Sequence, residues 1–442
     1  MIGLYSGLLS DADTAAIFSD TRQIALMIEV ERALARVEGR LGVIEPAHAA
    51  EIDRRLDGFQ PDAEALAEGT ERTGVPVPAL VTALRTEVGG EAAASVHWGA
   101  TSQDILDTAV VLELREALAL FDERLQRIAG SLVSMARMHR LTPVCCRTRA
   151  QMAAPTSFGL KAANWAEPLL AARRRLGALR QEVLIVSFGG AVGTLASLED
   201  RGLDVMDALA AELDLGVSDL PWHVRRDGLA ALAGWAAGVT LSLGKIALDV
   251  IAMSQNEVAE LREGGEGRGG SSTMPNKANP VRSEAILTLG RHARSAAGEM
   301  QEAMLHAHDR DGVAWQTEWL ALPQLMLAAG AALRQAEALV ADLIVDPDRM
   351  RTNIDATRGT VMAEAATFAL ARHMPRPDAH KLVSQACRDA VAGDRSLFDL
   401  LAERTDAPVD WAALRRPENH LSSAAAMLDR WLDGVVSRQG RD

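Results

Sequence analysis

The sequence predicts an all-α fold in which long helices form a central bundle. Apolar residues recur at helical spacing over long stretches, and the longest of these, Asp104 to Arg140, contains no proline. Strand signals are rare, since only 4% of the residues are aromatic and β-like pieces such as "VLIVSF" are exceptions. With 442 residues, 48% of them apolar, the chain can bury a large core and has the length of two or three domains.

We expect three helical domains. Residues 1–111 form an N-terminal helical domain, residues 112–362 the central bundle, and residues 363–442 a small C-terminal helical domain. Within the bundle, the periodicity predicts helices over 104–140, from 228 for roughly 35 residues or about 50 Å, over 284–305 and over 320–343. Helices this long rarely cover their own apolar sides in a monomer, so the sequence also predicts a homo-oligomer.

The stretch from Gly228 to Gly244 carries no charge over 17 residues, which is just short of a membrane-spanning helix. Alanine and glycine are spaced through it, and Thr240 and Ser242 interrupt its apolar surface. This composition suits a helix packed closely among other helices better than one that faces lipid. We therefore interpret it as the centre of the bundle.

Composition also limits the partners and the compartment. A formal net charge of −14 argues against nucleic acid or an anionic membrane as a partner, so an anionic substrate needs a local cluster of cations. Cys145, Cys146 and Cys387 are too few for a disulfide framework and lack a metal-binding spacing. The N-terminus lacks the basic and apolar regions of a signal peptide, so the expected compartment is the cytoplasm.

The pair His306 and His308 is the best candidate for a metal site in the sequence. On a helix, side chains two residues apart are turned by about 200°, so the two cannot share a metal from one face. We therefore expect no metal, and Arg310 is the more useful cation of this segment.

The segment from His97 to Thr108, "HWGATSQDILDT", has the pattern of a helix N-terminus. Thr101, followed three residues later by Asp104, forms a capping box that opens the helix. The free N–H groups of a helix N-terminus, together with neighbouring hydroxyl groups, also bind carboxylates. Thr101 and Ser102 are therefore candidates for both roles.

A second segment, "CCRTRAQMAAPTSFG", brings Arg147, Arg149 and Gln151 together ahead of a proline. Arginines two residues apart most often belong to a solvated face, so alone they are weak evidence for a carboxylate site. Together with Arg310 and the first segment, they provide the local positive charge that an anionic substrate needs.

The third segment, Gly264–Pro280, reads "GGEGRGGSSTMPNKANP" and interrupts the helical pattern. A phosphate-binding P-loop would need a lysine where Ser271 stands, and a strand before the glycines. A disordered linker is the other simple interpretation, but "MPNKANP" is chemically too particular for a spacer. We predict a mobile lid, residues 262–280, that carries reactive groups and excludes water when it closes.

"GGSSTMPNKANP" resembles the signature loop of the fumarase/aspartase superfamily, which includes the adenylosuccinate and argininosuccinate lyases. "GATSQD" and "RTRAQ" lie where the other two site segments of that superfamily fall. Four further pieces, "FGLKAANWAEPLL", "SFGGAVGTLASL", "PWHVRRD" and "AWQTEW", resemble its lactonising branch, the 3-carboxy-cis,cis-muconate cycloisomerases. The resemblance covers nearly the whole chain. It implies a three-domain all-α fold, a homotetramer with sites shared between subunits, a small polycarboxylate substrate and no cofactor.

The resemblance also implies roles for individual residues. Ser271 is the expected catalytic residue, which gives a proton to the α-carbon and removes it in the reverse direction. The expected substrate-binding residues are His97, Thr101, Ser102, Arg147, Arg149, Gln151, Ser272, Lys277, Asn279 and Arg310.

One position departs from the lyases of the superfamily. Their second segment reads roughly "TH.Q", and the histidine helps to protonate a poor leaving group, whereas this sequence has Arg149. A carboxylate, with a pKa near 4, leaves without a proton, so a cycloisomerase tolerates the loss of this acid and a lyase does not. We therefore expect intramolecular lactonisation. The alternatives are a fumarate-forming lyase such as an adenylosuccinate lyase and an inactive structural relative.

Overall fold

The computed structural model describes residues 3–265 and 269–439. Over these residues the chain forms eighteen α-helices and four short strands, which confirms the all-α prediction. The helices are α1 (Gly3–Leu9), α2 (Ala12–Ile17), α3 (Asp20–Leu41), α4 (Pro46–Leu56), α5 (Ala63–Thr73), α6 (Val77–Val88), α7 (Ser102–Met138), α8 (Phe158–Val183), α9 (Gly202–Leu213), α10 (Asp227–Met253), α11 (Val281–Glu302), α12 (Gly312–Asp342), α13 (Pro347–Asp355), α14 (Ala363–Leu370), α15 (Arg376–Gly393), α16 (Leu397–Arg404), α17 (Trp411–Leu414) and α18 (Ser422–Gln439). The strands are β1 (Pro143–Thr148), β2 (Gln151–Ser157), β3 (Leu261–Arg262) and β4 (Ile344–Val345).

The predicted long helices are found, with two differences in length. Helices α7 and α11 lie close to their predicted bounds, whereas α12 begins earlier, at Gly312, and continues through Pro323. The helix predicted from residue 228 is shorter than expected, because α10 ends at Met253 after 27 residues. Ala259 then adopts a left-handed conformation, with φ +50°, and the chain turns back so that Glu260 N–H bonds to the carbonyl of Met253.

The strands are not where the apolar pattern placed them. The predicted β-like piece "VLIVSF" is wrong as a strand, because only Ile185 pairs there, in an isolated bridge to Gly216. Its apolar side chains are instead buried in a core without a neighbouring strand, as Val186 and Phe188 are. The main hairpin is β1 with β2, which are antiparallel.

The chain divides into two compact units, each with its own apolar core. Unit 1 comprises Met1–Arg124, Ala172–Leu241 and Thr288–Arg334, and unit 2 comprises Leu125–Ala171, Ser242–Leu287 and Gln335–Asp442. The core of unit 1 includes Leu34, Leu84 and Leu112, and a core of unit 2 packs around Leu401 and Phe398. Each unit therefore combines segments that are distant in sequence, and the division into three domains stays a prediction.

Helix α10 is the one helix among the described residues that is long and apolar enough to cross a membrane. Its most apolar 18-residue window has a mean hydropathy of 1.6, and 56% of that window is buried inside the protein. Burial of this kind is the property of a core helix, as the sequence predicted for this stretch.

Candidate active site

The N-terminus of α7 lies in unit 1 and is fixed by one buried carboxylate. Asp104 Oδ2 accepts a hydrogen bond from the backbone N–H of Thr101 at 2.9 Å, which is the reciprocal bond of the predicted capping box. The same carboxylate accepts bonds from the backbone N–H groups of Gly189 and Gly190, both at 2.9 Å. His223 Nε2 lies 2.7 Å from Asp104 Oδ1. These four partners hold the first turn of α7 in one position.

Two of the predicted substrate-binding residues stand at this helix end. Thr101 and Ser102 are both half-buried, and Ser102 is the first residue of α7. A helix N-terminus carries unpaired N–H groups and partial positive charge, which favour a bound carboxylate. The predicted carboxylate site is thus built on a rigid element.

His97 adopts a left-handed conformation, with φ +62°, and its side chain contacts a buried acid. Its Nδ1 lies 2.6 Å from Glu31 Oε1, and Glu31 is 2% exposed. Burial of the imidazole works against the charged form, but the Glu31 carboxylate outweighs it, so the pKa of His97 is raised. Nδ1 of His97 is therefore engaged by Glu31 within unit 1, close to the N-terminus of α7.

Arg310 reaches the same helix end through a side chain that the sequence analysis did not single out. Arg310 is exposed, and its Nε donates to Gln103 Oε1 at 2.8 Å. Its backbone lies just before α12, where Asp311 Oδ1 caps the helix by accepting from the N–H of Val313 at 2.8 Å. The guanidinium of Arg310 is therefore held at Gln103, and its backbone directly precedes a capped helix.

Below Gln103 lies a buried ionic network in unit 1. Arg226 NH1 donates to Asp107 Oδ2 at 2.7 Å, and Arg226 Nε donates to Glu318 Oε1 at 2.7 Å. Trp315 Nε1 donates to Asp107 Oδ1 at 3.1 Å. Arg226, Asp107 and Glu318 are each at most 4% exposed. Such buried pairs depend on one another, because removing one partner leaves the others charged and desolvated.

The β1–β2 hairpin in unit 2 presents Arg149 at its tip. Thr148 pairs with Gln151, so Arg149 and Ala150 form a two-residue turn with φ of +50° and +65°. Turns with two positive φ values normally contain asparagine and glycine, because a Cβ is strained there. Arg149, Ala150 and Gln151 are exposed. The strained turn thus presents the Arg149 guanidinium to solvent. Strained backbone of this kind clusters at functional sites.

Arg147 points in another direction, into unit 2. Its NH1 and NH2 donate to the two oxygens of Glu260, both at 2.8 Å, and Glu260 is fully buried. Asn353 Nδ2 donates to the same carboxylate at 2.9 Å. The hydrogen bonds that Arg147 donates to Glu260 raise the pKa of Arg147, so its guanidinium stays charged. The guanidinium of this predicted substrate ligand is therefore occupied in anchoring the hairpin.

The signature loop belongs to unit 2, and a carboxylate clamp joins the residues on either side of it. Glu263 Oε2 accepts from the N–H of Arg282 at 3.1 Å, and Oε1 accepts from the N–H of Ser283 at 2.8 Å. These are orphan N–H groups of the first turn of α11, so Glu263 caps that helix. The predicted lid also contains residues 266–268, which lie outside the described residues.

Within the loop, Asn279 ties the two arms together. Its backbone N–H and its Nδ2 donate to the carbonyl of Gly269, at 2.8 and 3.0 Å. Gly270 and Ala278 form an antiparallel bridge beside this point. Gly269 has φ +68°, and a Cβ there would lie 2.1 Å from the backbone carbonyl oxygen of Asn279, so only glycine fits. Asn279 thus has a structural role in addition to its predicted one.

Ser271 lies at the start of a turn that aims two backbone donors at its hydroxyl. Its Oγ accepts from the N–H of Thr273 at 3.3 Å and from the N–H of Met274 at 3.1 Å. Ser271 is half-buried, while Ser272 and Lys277 are exposed. Backbone donors at an oxygen atom favour negative charge on it, as in an oxyanion hole.

The residues that support these three segments were not predicted from the sequence. They are Gln103, Asp107, Arg226, Glu260, Glu263 and Glu318. A signal was present for three of them: Arg226 stands next to Asp227, which borders the uncharged stretch of α10, and Glu260 and Glu263 precede the glycine-rich segment. A charge next to a predicted core element is a candidate for a buried pair.

Known proteins provide a further comparison. Residues 9–294 match the family model described as "Lyase", and residues 359–431 match "Adenylosuccinate lyase C-terminus". The 3-carboxy-cis,cis-muconate cycloisomerase of Bradyrhizobium diazoefficiens is 42% identical over 98% of each chain. The nitrosuccinate lyase of Streptomyces davaonensis is 37% identical over 98% of this chain and 94% of its own.

Among solved structures, the 3-carboxy-cis,cis-muconate lactonizing enzyme from Pseudomonas putida superposes with a TM-score of 0.93. It is 35% identical in sequence, and the match covers 98% of both chains. The resemblance drawn from the sequence motifs is thereby confirmed. The chain belongs to the fumarase/aspartase superfamily and, within it, to the family of the 3-carboxy-cis,cis-muconate cycloisomerases.

Proposed function

We propose that this protein converts 3-carboxy-cis,cis-muconate to 4-carboxymuconolactone. The observation that carries the proposal is Arg149, at the exposed tip of the β1–β2 turn, where the lyases of the superfamily have a histidine. A guanidinium is not a general acid near neutral pH, but it does stabilise carboxylate charge. Lactonisation needs only the latter, because its leaving group in the reverse direction is a carboxylate. The relatives from Bradyrhizobium diazoefficiens and Pseudomonas putida are named for this reaction.

The reaction joins two parts of one substrate molecule. One carboxylate oxygen forms a C–O bond to a conjugated carbon, and the π electrons move onto the carboxylate conjugated with that carbon, which becomes an aci-carboxylate. Ser271 then gives its proton to the α-carbon, and the serine alkoxide regains a proton from water. One proton is therefore taken from solvent for each lactone formed. The N–H groups of Thr273 and Met274 support this role, because they stabilise the Ser271 oxyanion.

The remaining site residues supply hydrogen bonds and charge. We assign the binding of the substrate carboxylates to Thr101, Ser102, Arg149, Gln151, Ser272, Lys277, Asn279 and Arg310. His97 and Arg147, whose polar atoms engage Glu31 and Glu260, act by holding their segments in place. Electrostatic stabilisation of the aci-carboxylate supplies most of the catalysis.

We also propose a homotetramer in the cytoplasm, with each site assembled from segments of different subunits. The long apolar helices support association, because a monomer leaves side chains such as Leu241, Leu248 and Leu320 exposed. Sedimentation velocity combined with activity across a dilution series tests this assembly. We expect a tetramer whose specific activity falls when it dissociates, and an active monomer would contradict the proposal.

The activity itself is tested by mixing the purified protein with 3-carboxy-cis,cis-muconate and following the loss of the diene's ultraviolet absorbance. We expect loss of absorbance without added metal, with one proton taken up per molecule consumed. Adenylosuccinate, argininosuccinate and nitrosuccinate serve as comparison substrates. Formation of fumarate from one of these, with no loss of diene absorbance, would assign the protein to the lyases. No reaction with any of them would identify an inactive relative.

A further inference from the structure

The orientation of the Gln103 amide is determined by its neighbours. Its Nε2 donates to the carbonyl of His223 at 2.9 Å and to Asp107 Oδ2 at 3.1 Å. Both partners only accept hydrogen bonds, so the NH₂ group must face them and both of its protons are used. The amide oxygen must then face the other way. Gln103 is 1% exposed, so water does not compete for this oxygen.

The amide oxygen faces Arg310. Arg310 Nε donates to Gln103 Oε1 at 2.8 Å. Within residues 3–265 and 269–439, this is the side-chain hydrogen bond that holds the Arg310 guanidinium. With Nε engaged, NH1 and NH2 remain as a parallel pair of donors. Two parallel N–H donors of this kind can bind a carboxylate through two hydrogen bonds.

The Gln103 amide is backed by a buried hydrogen-bond network. Asp107 is held by Arg226 at 2.7 Å and by Trp315 at 3.1 Å, and Arg226 is held in turn by Glu318. Rotation of the Gln103 amide would place its oxygen against the Asp107 carboxylate and would remove the donor that the His223 carbonyl now has. Such a rotation is strongly unfavourable in a buried site.

We propose that Gln103 is a positioning residue, which sets the direction of the Arg310 guanidinium and so aligns one carboxylate of the substrate. This inference rests on the proposed function, in which Arg310 binds a substrate carboxylate. A free arginine side chain samples many rotamers, so its contact with a substrate is weaker and less well aligned. Loss of such a supporting contact lowers activity by roughly 10–100-fold.

A double-mutant cycle tests the inference, because a positioning residue acts only through its partner. Gln103→Met keeps the side-chain volume but removes the acceptor, and Arg310→Met removes the cation. We expect each variant to lose roughly 10–100-fold in kcat/KM, and the double variant to be no worse than Arg310→Met alone. Losses that multiply in the double variant would mean that Gln103 acts independently of Arg310.

A matched control separates positioning from folding. Thr108 lies on the same helix, is buried, and donates to the carbonyl of Ser187 at 3.0 Å without contact to Arg310. Thr108→Val should lower the unfolding temperature as Gln103→Met does, but leave kcat/KM unchanged. If Gln103→Met does not fold, Gln103→Asn takes its place in the cycle. Its shorter amide keeps a polar group facing Asp107 and withdraws the oxygen from Arg310.

The outcomes distinguish this inference from the proposed function. If wild type consumes the diene and Arg310→Met is impaired while Gln103→Met is not, only the inference fails. If Arg310→Met matches wild type, the inference fails as well. If wild type does not consume the diene, the reaction is wrong, and the cycle is measured by calorimetric binding of propane-1,2,3-tricarboxylate. The same non-additivity is then expected, and additive losses, or no binding to wild type, would overturn the inference.

Discussion

The first turn of α7 and the signature loop bring site residues to the surface in opposite ways. At α7, the supporting side chains are buried, and Asp104 alone has four polar partners within 2.9 Å. In the loop, residues 272–278 are exposed, and within the described part of the chain the Ser271 hydroxyl bonds to the local turn, at the N–H groups of Thr273 and Met274. The first turn of α7 is therefore fixed without substrate, whereas the signature loop is fixed mainly at its two ends.

The difference assigns separate tasks to the two regions. A rigid, desolvated helix end can bind a carboxylate without reorganising, which is the requirement for electrostatic stabilisation. The loop is clamped at Glu263 and pinned by Asn279, so its ends are fixed while its centre has few buried contacts. Elements of this kind open at low cost in free energy, and substrate binding can close them. Substitutions in the loop should therefore affect activity alone, and those beneath α7 should affect stability.

The largest effect is expected from Ser271→Ala. The change removes the proton donor, so turnover should fall by roughly 10³-fold or more while substrate affinity stays close to that of wild type. The unfolding temperature should not change, because the loop has few buried contacts. Single-turnover kinetics and calorimetric binding measure the two effects separately.

Thr273→Ala is the control for this variant. It keeps the backbone N–H that donates to Ser271 Oγ, so turnover should remain near that of wild type. Near-normal turnover of Ser271→Ala would exclude the serine from proton transfer.

Beneath α7, the largest effect on stability is expected from Arg226→Ala. The change leaves Asp107 and Glu318 buried without their partner, which should lower the free energy of unfolding by about 3–5 kcal/mol. Urea denaturation measures the loss. Lys277→Ala, in the exposed loop, should leave the same free energy unchanged, and an equal loss in both variants would remove the distinction between the regions.

The sequence predicted the second region better than the first. The loop was recognised because Ser271, Lys277 and Asn279 stand in a short local motif, and α7 was recognised from its apolar period and capping box. The network under α7 joins residues 103 and 107 of that helix to residues 226, 310 and 318, whose separations from α7 in sequence carry no periodic signal. The β1–β2 hairpin was missed for another reason: its turn has Arg149 and Ala150 where turn statistics expect asparagine and glycine.

Arg149 provides a test of the exposed region with a smaller expected effect. Arg149→Ala should lose about 2–4 kcal/mol of transition-state stabilisation, because one electrostatic contact is removed. Arg149→Lys should keep a measurable fraction of activity, and Arg149→His should not restore it, since charge and not a proton is required. Wild-type rates for Arg149→Ala between about pH 6 and pH 9 would overturn this role and the argument for a carboxylate leaving group.

Helix α3 contains a buried carboxyl group, that of Glu38, which lowers the stability of the protein at high pH. Both oxygens of Glu38 lack a partner among the described residues, and burial together with Glu31 raises the pKa of Glu38 to about 9. The folded protein keeps this proton where the unfolded chain has lost it. Stability contributed by the neutral form is therefore present below the ordinary pKa of glutamate and is lost as pH rises towards about 9.

Glu38→Gln should remove this dependence, because the amide has no proton to lose. We expect the variant to be more stable than wild type by about 1–3 kcal/mol at pH 8, and close to it at pH 5. Urea unfolding at the two pH values measures the difference. His97 adds a slope of the same sign, since its raised pKa also gives stability that is lost as pH rises. An unchanged pH profile in Glu38→Gln would mean that this carboxyl is ionised in the folded protein.

The smallest effect is expected at the tip of the hairpin, where Ala150 has φ +65° and is exposed. Ala150→Gly removes the clash of a Cβ with its own backbone, worth about 1–2 kcal/mol, and adds entropy to the unfolded chain, worth about 0.5–1 kcal/mol. The variant should therefore be more stable by roughly 0.5–1 kcal/mol. Ala153→Gly, on the neighbouring strand β2, gains nothing from glycine and should be less stable.

If the strained turn serves to hold Arg149 in place, Ala150→Gly should at the same time lower kcat/KM, because the tip becomes freer as the protein becomes more stable. Higher stability with full activity would show that the turn conformation is incidental to Arg149, whereas lower stability would show that Ala150 is not strained.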